Sequence, residues 1–357
     1  MRPILRPGLQ LLRRDDHAVQ IGHPADNAAI IEDCPELRAV VRALDGVRRI
    51  PEVIEAAVAT GVETGTAEAT LGALIDLGLI ADADELVAAA HMLPDSLRPH
   101  VAGDVSSMAL AVAPTSSPVE LLRHRRQATV EVRGLGPVGA CVAWQLALSG
   151  LGHLALNDPA RVPPVPLVTG ATEPLLDRRR DDWLRTELRV VAPWARVRTA
   201  ALTRPADLVV LSVDAYSDRT EVDRAGADEL MRRDIPHLLV SLNGSRAQLG
   251  PLVVPGQTPC VRCLDLHRTD QDPAWPALVQ QLTSRARYPG PWLAACDRTS
   301  ASLIGTWAAR EALTFVEHRW PMTTHAVLEI WSDGRPPSTH ETRWHPACGC
   351  DWQTAAG

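Results

Sequence analysis

The 357-residue chain carries 36 arginines and no lysine against 43 acidic residues, and its formal net charge of −7 offers no global attraction to nucleic acid. A hydrophobic content of 46% with 22% charged residues excludes a disordered chain, no apolar run approaches the length of a membrane span, and Arg6, Arg13, Arg14, Asp15 and Asp16 interrupt any signal-peptide pattern. A cytoplasmic protein of two or three compact units is expected. Without lysine, any chemistry that needs an ammonium group must find another donor. The single Phe315 and two tyrosines against ten tryptophans read as coding bias rather than function.

The first 90 residues read as strands followed by helices. Short apolar runs at Leu9–Leu12, Ala18–Ile21 and Ala28–Ile31 are separated by turn-forming residues and predict three strands. Helical spacing follows over Pro35–Leu44, Pro51–Val58 and Thr66–Leu77. Three strands with three helices predict a winged-helix-like module over 1–90. Such a module can place its third helix in a DNA groove, but Glu68 and Asp76 with no arginine would repel phosphates there. A sheet edge beside a helix can instead take up an extended peptide as an added strand, or the module can simply pack on its neighbour. Residues 91–127 are less patterned and read as a linker, with Arg123-His-Arg-Arg126 as a solvated loop or a cluster facing a nucleotide or acidic peptide.

Residue 128 opens an α/β unit that runs to 357. A strand at Ala128–Val132 meets the turn Gly134-Leu-Gly-Pro-Val-Gly139, and a helix is expected over Ala140–Ser149. A second strand ends at Asp158, about 20 residues beyond the glycines, where a dinucleotide fold places a ribose-binding acid. Gly134, Gly136 and Gly139 would let backbone approach a phosphate while the helix N-terminus supplies oriented N–H groups. After a proline-rich stretch, Pro159–Pro174, residues Arg178–Leu188 should be helical, and Asp207–Ser212 reads as a buried parallel strand. Asp214, just past that strand, is a candidate Mg²⁺ ligand or equally the N-cap of the next helix. His237–Leu242 adds a strand, Gly244, Gly250 and Gly256 punctuate a hairpin-like region, Asp297–His318 is helical, and Ala326–Ile330 returns to strand.

Four of the seven cysteines form two tight pairs, Cys260-Val-Arg-Cys263 and Cys348-Gly-Cys350. Two such pairs predict a structural Cys₄ zinc site of Cys260, Cys263, Cys348 and Cys350, weighed against a disulfide, a redox pair or scattered core thiols. Cys34, Cys141 and Cys296 read as small buried apolar residues.

The glycine turn, Asp158, Asp214, the run Gly250-Pro-Leu-Val-Val-Pro-Gly-Gln-Thr-Pro-Cys-Val-Arg-Cys263 and the late Cys-Gly-Cys together resemble the ThiF-like, ubiquitin-activating-enzyme-like fold over about 120–357. Within it, Cys263-Leu-Asp-Leu-His-Arg-Thr-Asp-Gln-Asp-Pro-Ala-Trp275 looks most like the partner component of azoline-forming cyclodehydratases, which mature ribosomally made peptides. That resemblance implies a non-catalytic protein whose N-terminal module binds the leader of a precursor peptide by strand addition, with Ala28, Ala29, Ile30, Ile31 and the third helix as the groove. It also implies a YcaO-type partner that uses ATP to form thiazolines or oxazolines.

The second reading is an active adenylyltransferase of the ThiF, MoeB or microcin-C-maturing kind, acting on a peptide C-terminus with ATP and Mg²⁺. Those relatives resemble one another in an ATP-contacting lysine and an upstream Asn-Arg-Gln-type run. Here there is no lysine and no such run over Pro159–Leu176, and Arg180 falls where the lysine would, a change that alters geometry. A degenerate nucleotide site is therefore expected. An NAD-dependent dehydrogenase would leave the cysteine pairs unexplained. A homodimer is compatible with the sequence.

Overall fold

The computed structural model describes residues 1–22, 28–111, 117–162, 167, 178–199, 205–214, 224–283 and 296–352. The chain divides into two compact units, Met1–Arg123 and His124–Gly357.

The first unit contains the expected strands and helices with shifted bounds. Strands β2 (Leu11–Arg13), β3 (Ala18–Ile21) and β4 (Ala29–Glu32) form an antiparallel sheet in the order β2-β3-β4. Sequence reading misses β1 (Pro3–Leu5), which pairs antiparallel with β5 (Ile80–Asp82); three-residue strands carry too little alternation to register. Helix α1 (Pro35–Ala43) buries Leu37 and Val40, and it shares one core with Val53, Ile54 and Ala57 of α2 (Ile50–Val58) and Leu71 and Leu74 of α3 (Thr64–Asp76). Ile31 of β4 packs on this core, whereas Ile30 is 57% exposed.

The stretch expected to link the units, 91–127, is largely helical: after α4 (Ala83–His91), α5 (Arg98–Ala111) and α6 (Pro118–Gln127) fill most of it within the described residues. Helix α5 mixes Gly103, Ser106 and Ser107 with its apolar residues and shows almost no amphipathic period, which hides it from pattern reading. The basic run Arg123–Arg126 accordingly lies on a helix, not in a solvated loop. Arg125 is 1% exposed, with Nε 2.9 Å from Glu317 Oε1 and Nη1 donating to Ser149 O at 2.7 Å.

The second unit is built on an eight-stranded sheet. The strands are β6 (Thr129–Arg133), β7 (His153–Asn157), β8 (Arg196–Arg198), β9 (Leu208–Asp214), β10 (His237–Asn243), β11 (Arg246–Val253), β12 (Ala326–Trp331) and β13 (Ser338–Glu341), in the order β13-β12-β11-β10-β9-β6-β7-β8. The five from β10 to β8 are parallel, and β11, β12 and β13 extend the sheet antiparallel. Helix α7 (Pro137–Leu148) is buried nearly all round because it lies between this sheet and α12 (Arg298–Val316). Gly305 permits that approach: a Cβ there would fall 2.8 Å from Cys141 Cβ. Val209, Leu211 and Leu239 share a second core with Ala227 and Leu230 of α9 (Arg224–Arg232), Val261 of α10 (Val261–Gln271), which α11 (Trp275–Thr283) follows, and the cysteines Cys260, Cys263 and Cys350. Cys141 is buried as expected, whereas Cys34 and Cys296 are half-buried.

One buried titratable group makes a prediction. His237, at the head of β10, is fully buried, its Nδ1–H donates to Ile235 O at 3.0 Å, and Nε2 has no hydrogen-bond partner. Burial pushes its pKa down from 6.5 to about 4. The folded value lies below the unfolded one, so this contribution is fully present above pH 6.5 and is lost as pH falls towards 4, amounting to about 3 kcal/mol. Urea unfolding at pH 7.5 and pH 4.5 should show that loss, and His237→Asn, which keeps a donor but does not titrate, should flatten that part of the profile.

Candidate functional site

The sheet reverses its winding direction between β6 and β9. Open α/β sheets bind ligands at the carboxyl ends of the strands flanking such a switch point. Here β6 runs into the glycine turn and β9 ends at Asp214. Helix α7 starts at Pro137, three residues before the sequence expectation, because Gly136 serves as N-cap and Pro137 supplies a preset φ. Gly134 takes a φ of +85°, and a Cβ there would fall 2.1 Å from Ser212 O. A Cβ on Gly139 would fall 1.9 Å from Gly134 O.

All six predicted nucleotide-site residues gather here, and the polar side chains among them are engaged by neighbouring backbone and, for Asp158 and Arg180, by each other. Asp214, fully buried, directs its carboxylate at the α7 N-terminus, where Val138 N–H donates to Oδ2 at 3.3 Å. A Cβ on Gly136 would lie 2.2 Å from the same oxygen. Asp214 thus caps α7; residues 215–223, where a following helix could start, lie outside the described residues. Asp158 accepts Leu135 N–H at 2.7 Å and Ala160 N–H at 2.9 Å, and it pairs with Arg180 Nη1 at 3.1 Å. Arg180 opens α8 (Arg180–Val191), is 6% exposed, and also donates through Nε to Arg161 O at 3.0 Å. The cation expected to hold a phosphate is tied instead to the ribose-site acid. Most of Pro159–Leu176, where the adenylating run would lie, is outside the described residues.

A helix N-terminus attracts one anion through its free N–H groups and dipole. That seat at α7 is faced by a carboxylate of the chain itself, so a phosphate there would need a cation held by Asp214 between the two. Two unit charges 4 Å apart interact by about 1 kcal/mol in water and by about 4 kcal/mol at an effective dielectric of 20. A polyphosphate approaching Asp214 with no divalent cation between them would meet repulsion of that order for each close charge pair.

The four paired cysteines do converge. All four sulfurs lie within 4.8 Å of one another, with Cys260 Sγ to Cys348 Sγ at 3.5 Å and Cys263 Sγ to Cys350 Sγ at 3.3 Å. A tetrahedral zinc with Zn–S bonds of about 2.3 Å sets its sulfurs about 3.8 Å apart, whereas a disulfide would need about 2.05 Å. The donor set and spacing fit zinc. Gly349, at φ +70°, makes the turn that brings two sulfurs two residues apart to one point. Burial, and then its hydrogen bond to Cys260, push Cys348 up to about 12, while hydrogen bonds from Cys260 and Cys350 hold Cys263 well below an ordinary thiol. Binding of a divalent cation would release protons from the cluster, because metal-bound cysteines are thiolates. With all four ligands from protein, the site offers structure rather than an open position for chemistry.

The sequence profile of the ThiF family matches residues 109–332. The chain belongs to the ThiF family. No curated protein sequence matches it. Among solved structures, E. coli MccB with ATP is similar at a TM-score of 0.70 and 16% identity, covering 98% of this chain and 99% of that one. The microcin C7 biosynthetic enzyme MccB in complex with N-formylated MccA matches at 0.69 and 16%, with the same coverage. PaaA matches at 0.66 and 15%, covering 94% of this chain and 98% of that one. At these identities the likeness establishes a shared fold. As for membranes, no helix among the described residues is long and apolar enough to cross one.

Proposed function

We propose that this ThiF-family chain is a non-catalytic, leader-binding partner in the maturation of a ribosomally made peptide, presenting the core peptide to a YcaO-type, ATP-dependent cyclodehydratase. The observation that carries this reading is the filled seat at α7: Asp214 caps the helix where a phosphate would bind, and Arg180 is tied to Asp158. The absence of lysine points the same way.

The leader-binding part rests on β4. Among the described residues this strand pairs only with β3, and its residues alternate between half-buried and exposed. An open edge of this kind can bind an extended peptide through main-chain hydrogen bonds, with side-chain contacts adding selectivity. Helix α3 also forms a cleft of about 450 Å³ with α2, where Ile50, Ile54, Leu71 and Ile75 are flanked by Glu55 and Glu68. The lack of basic residues on α2 and α3 favours a peptide over DNA.

A second reading, an adenylyltransferase acting on a peptide C-terminus, is favoured by two observations. The fold is that of MccB, a protein whose structure has been solved with ATP, and carboxylates stand at both switch-point positions, Asp158 and Asp214. Leader titration tests the first reading. The full chain should bind the cognate precursor peptide, and Ile30→Asp on the exposed edge should weaken binding about tenfold or more while changing stability by no more than about 0.5 kcal/mol. No affinity below the millimolar range would sink it.

A further inference from the structure

Helix α10 presents more than cysteine to the C-terminal segment. Cys263, His267 and Asp270 are spaced four and three residues apart, which places them on one face of the helix. The segment that returns Cys348 and Cys350 also returns His345, whose backbone N–H donates to Cys263 Sγ at 3.4 Å. Beside the four-cysteine cluster, the donor atoms of His267, Asp270 and His345 all lie within 4.8 Å of one another. His345 Nε2 is 2.9 Å from Asp270 Oδ2, and the two imidazoles meet edge to face at 4.7 Å between centroids.

An ordinary hydrogen-bonded His–Asp pair accounts for only two of these three residues. His267 Nε2 is buried and has no hydrogen-bond partner, a state that costs about 1–3 kcal/mol unless something satisfies it. A cation bridging the three side chains would do so. We propose that His267, Asp270 and His345 form a second divalent-metal site, separate from the four cysteines, that takes a zinc-class ion through two imidazoles and one carboxylate.

Nitrogen and oxygen donors of this kind select first-row transition ions over Ca²⁺ or Mg²⁺. Three protein ligands leave a fourth position for water or an anion. Asp270, with 67% of its side chain exposed, gives the ion a path from solvent. Loading requires one rearrangement. Ala347 N–H donates to His345 Nδ1 at 3.1 Å, so the ring proton sits on Nε2. On binding it moves to Nδ1, the contact with Ala347 is given up, and Nε2 turns its lone pair to the metal. His267 also lines a cleft of about 620 Å³ in which Arg246 pairs with Glu329 and Arg343 with Glu341, so the fourth position opens onto a polar, solvated wall.

The test is a Co²⁺ titration of the full chain followed by absorption, alongside zinc counting by mass spectrometry after zinc loading and gel filtration. The expected result is two metals per chain. Cobalt in the cysteine cluster gives intense thiolate charge transfer, and cobalt in the second site adds weak d–d bands without it. Asp270→Asn, at an exposed position that leaves folding intact, and His267→Ala should each remove the second set of bands and weaken that equivalent about tenfold or more, while the thiolate bands stay. A single metal per chain showing only thiolate charge transfer would overturn the proposal, as would a second equivalent that binds the wild type and both variants alike.

Discussion

Replacing Cys263 with serine is expected to abolish metal binding by the four-cysteine cluster and to release the C-terminal segment from α10. The cysteine sulfur is fully buried, faces Cys350 Sγ at 3.3 Å and accepts the His345 N–H, so one substitution removes a ligand and an anchor of the returning segment together. Structural zinc sites contribute on the order of 10 kcal/mol of apparent binding free energy at neutral pH. Most of that would be lost locally. The last strand does not depend on the returning segment, because β13 pairs with β12 through Ser338–Glu341, upstream of Cys348 and Cys350. The expected outcome is therefore loss of one thiolate-bound metal per chain, a lowered melting temperature, and rapid proteolysis after about residue 341, with the remainder resistant. Zinc counting and limited proteolysis would check it, and a variant that keeps its thiolate-bound metal would contradict the Cys₄ assignment.

Replacing Glu317 with alanine should cost about 3–5 kcal/mol of stability. Arg125 and Glu317 side chains are each 1% exposed, and Glu317 also pairs with Arg319 Nη2 at 2.5 Å. Arg125 further donates to Ser149 O, so the pair ties the last turn of α6 to the carboxyl ends of α7 and α12. Removing the carboxylate strands a guanidinium away from water, which costs more than the pair itself contributes. The double replacement Arg125→Met with Glu317→Leu should accordingly recover most of the loss. Urea unfolding of the three variants would check this, and a Glu317→Ala cost below about 1 kcal/mol would mean that Arg125 finds water or another partner.

The parts of the fold that were legible in the sequence are those with strong local signatures. Gly134, Gly136 and Gly139 marked the strand–turn–helix unit because close backbone approach leaves few alternatives to glycine. The cysteine pairs marked their cluster because metal chemistry fixes both residue type and spacing. What the sequence hid were partnerships. Arg125 reads as one of three solvated arginines until Glu317, 192 residues away, is brought to it. Arg180 reads as a phosphate ligand until Asp158 is seen beside it, and Asp214 reads as a metal ligand or the cap of a later helix until it meets α7. His345 and Asp270 were missed for the same reason, although His267, four residues after Cys263, and His345, three before Cys348, are spaced like ligands of a neighbouring ion.

Whether Asp214 closes the α7 seat to a nucleotide is decided by ATP–pyrophosphate exchange, measured on the full chain with Mg²⁺ and the cognate precursor peptide. The expected result is no exchange above background and no ATP-dependent rise in melting temperature. Peptide-dependent exchange that disappears in Asp214→Asn would contradict it, making Asp214 a metal ligand in an active adenylating site.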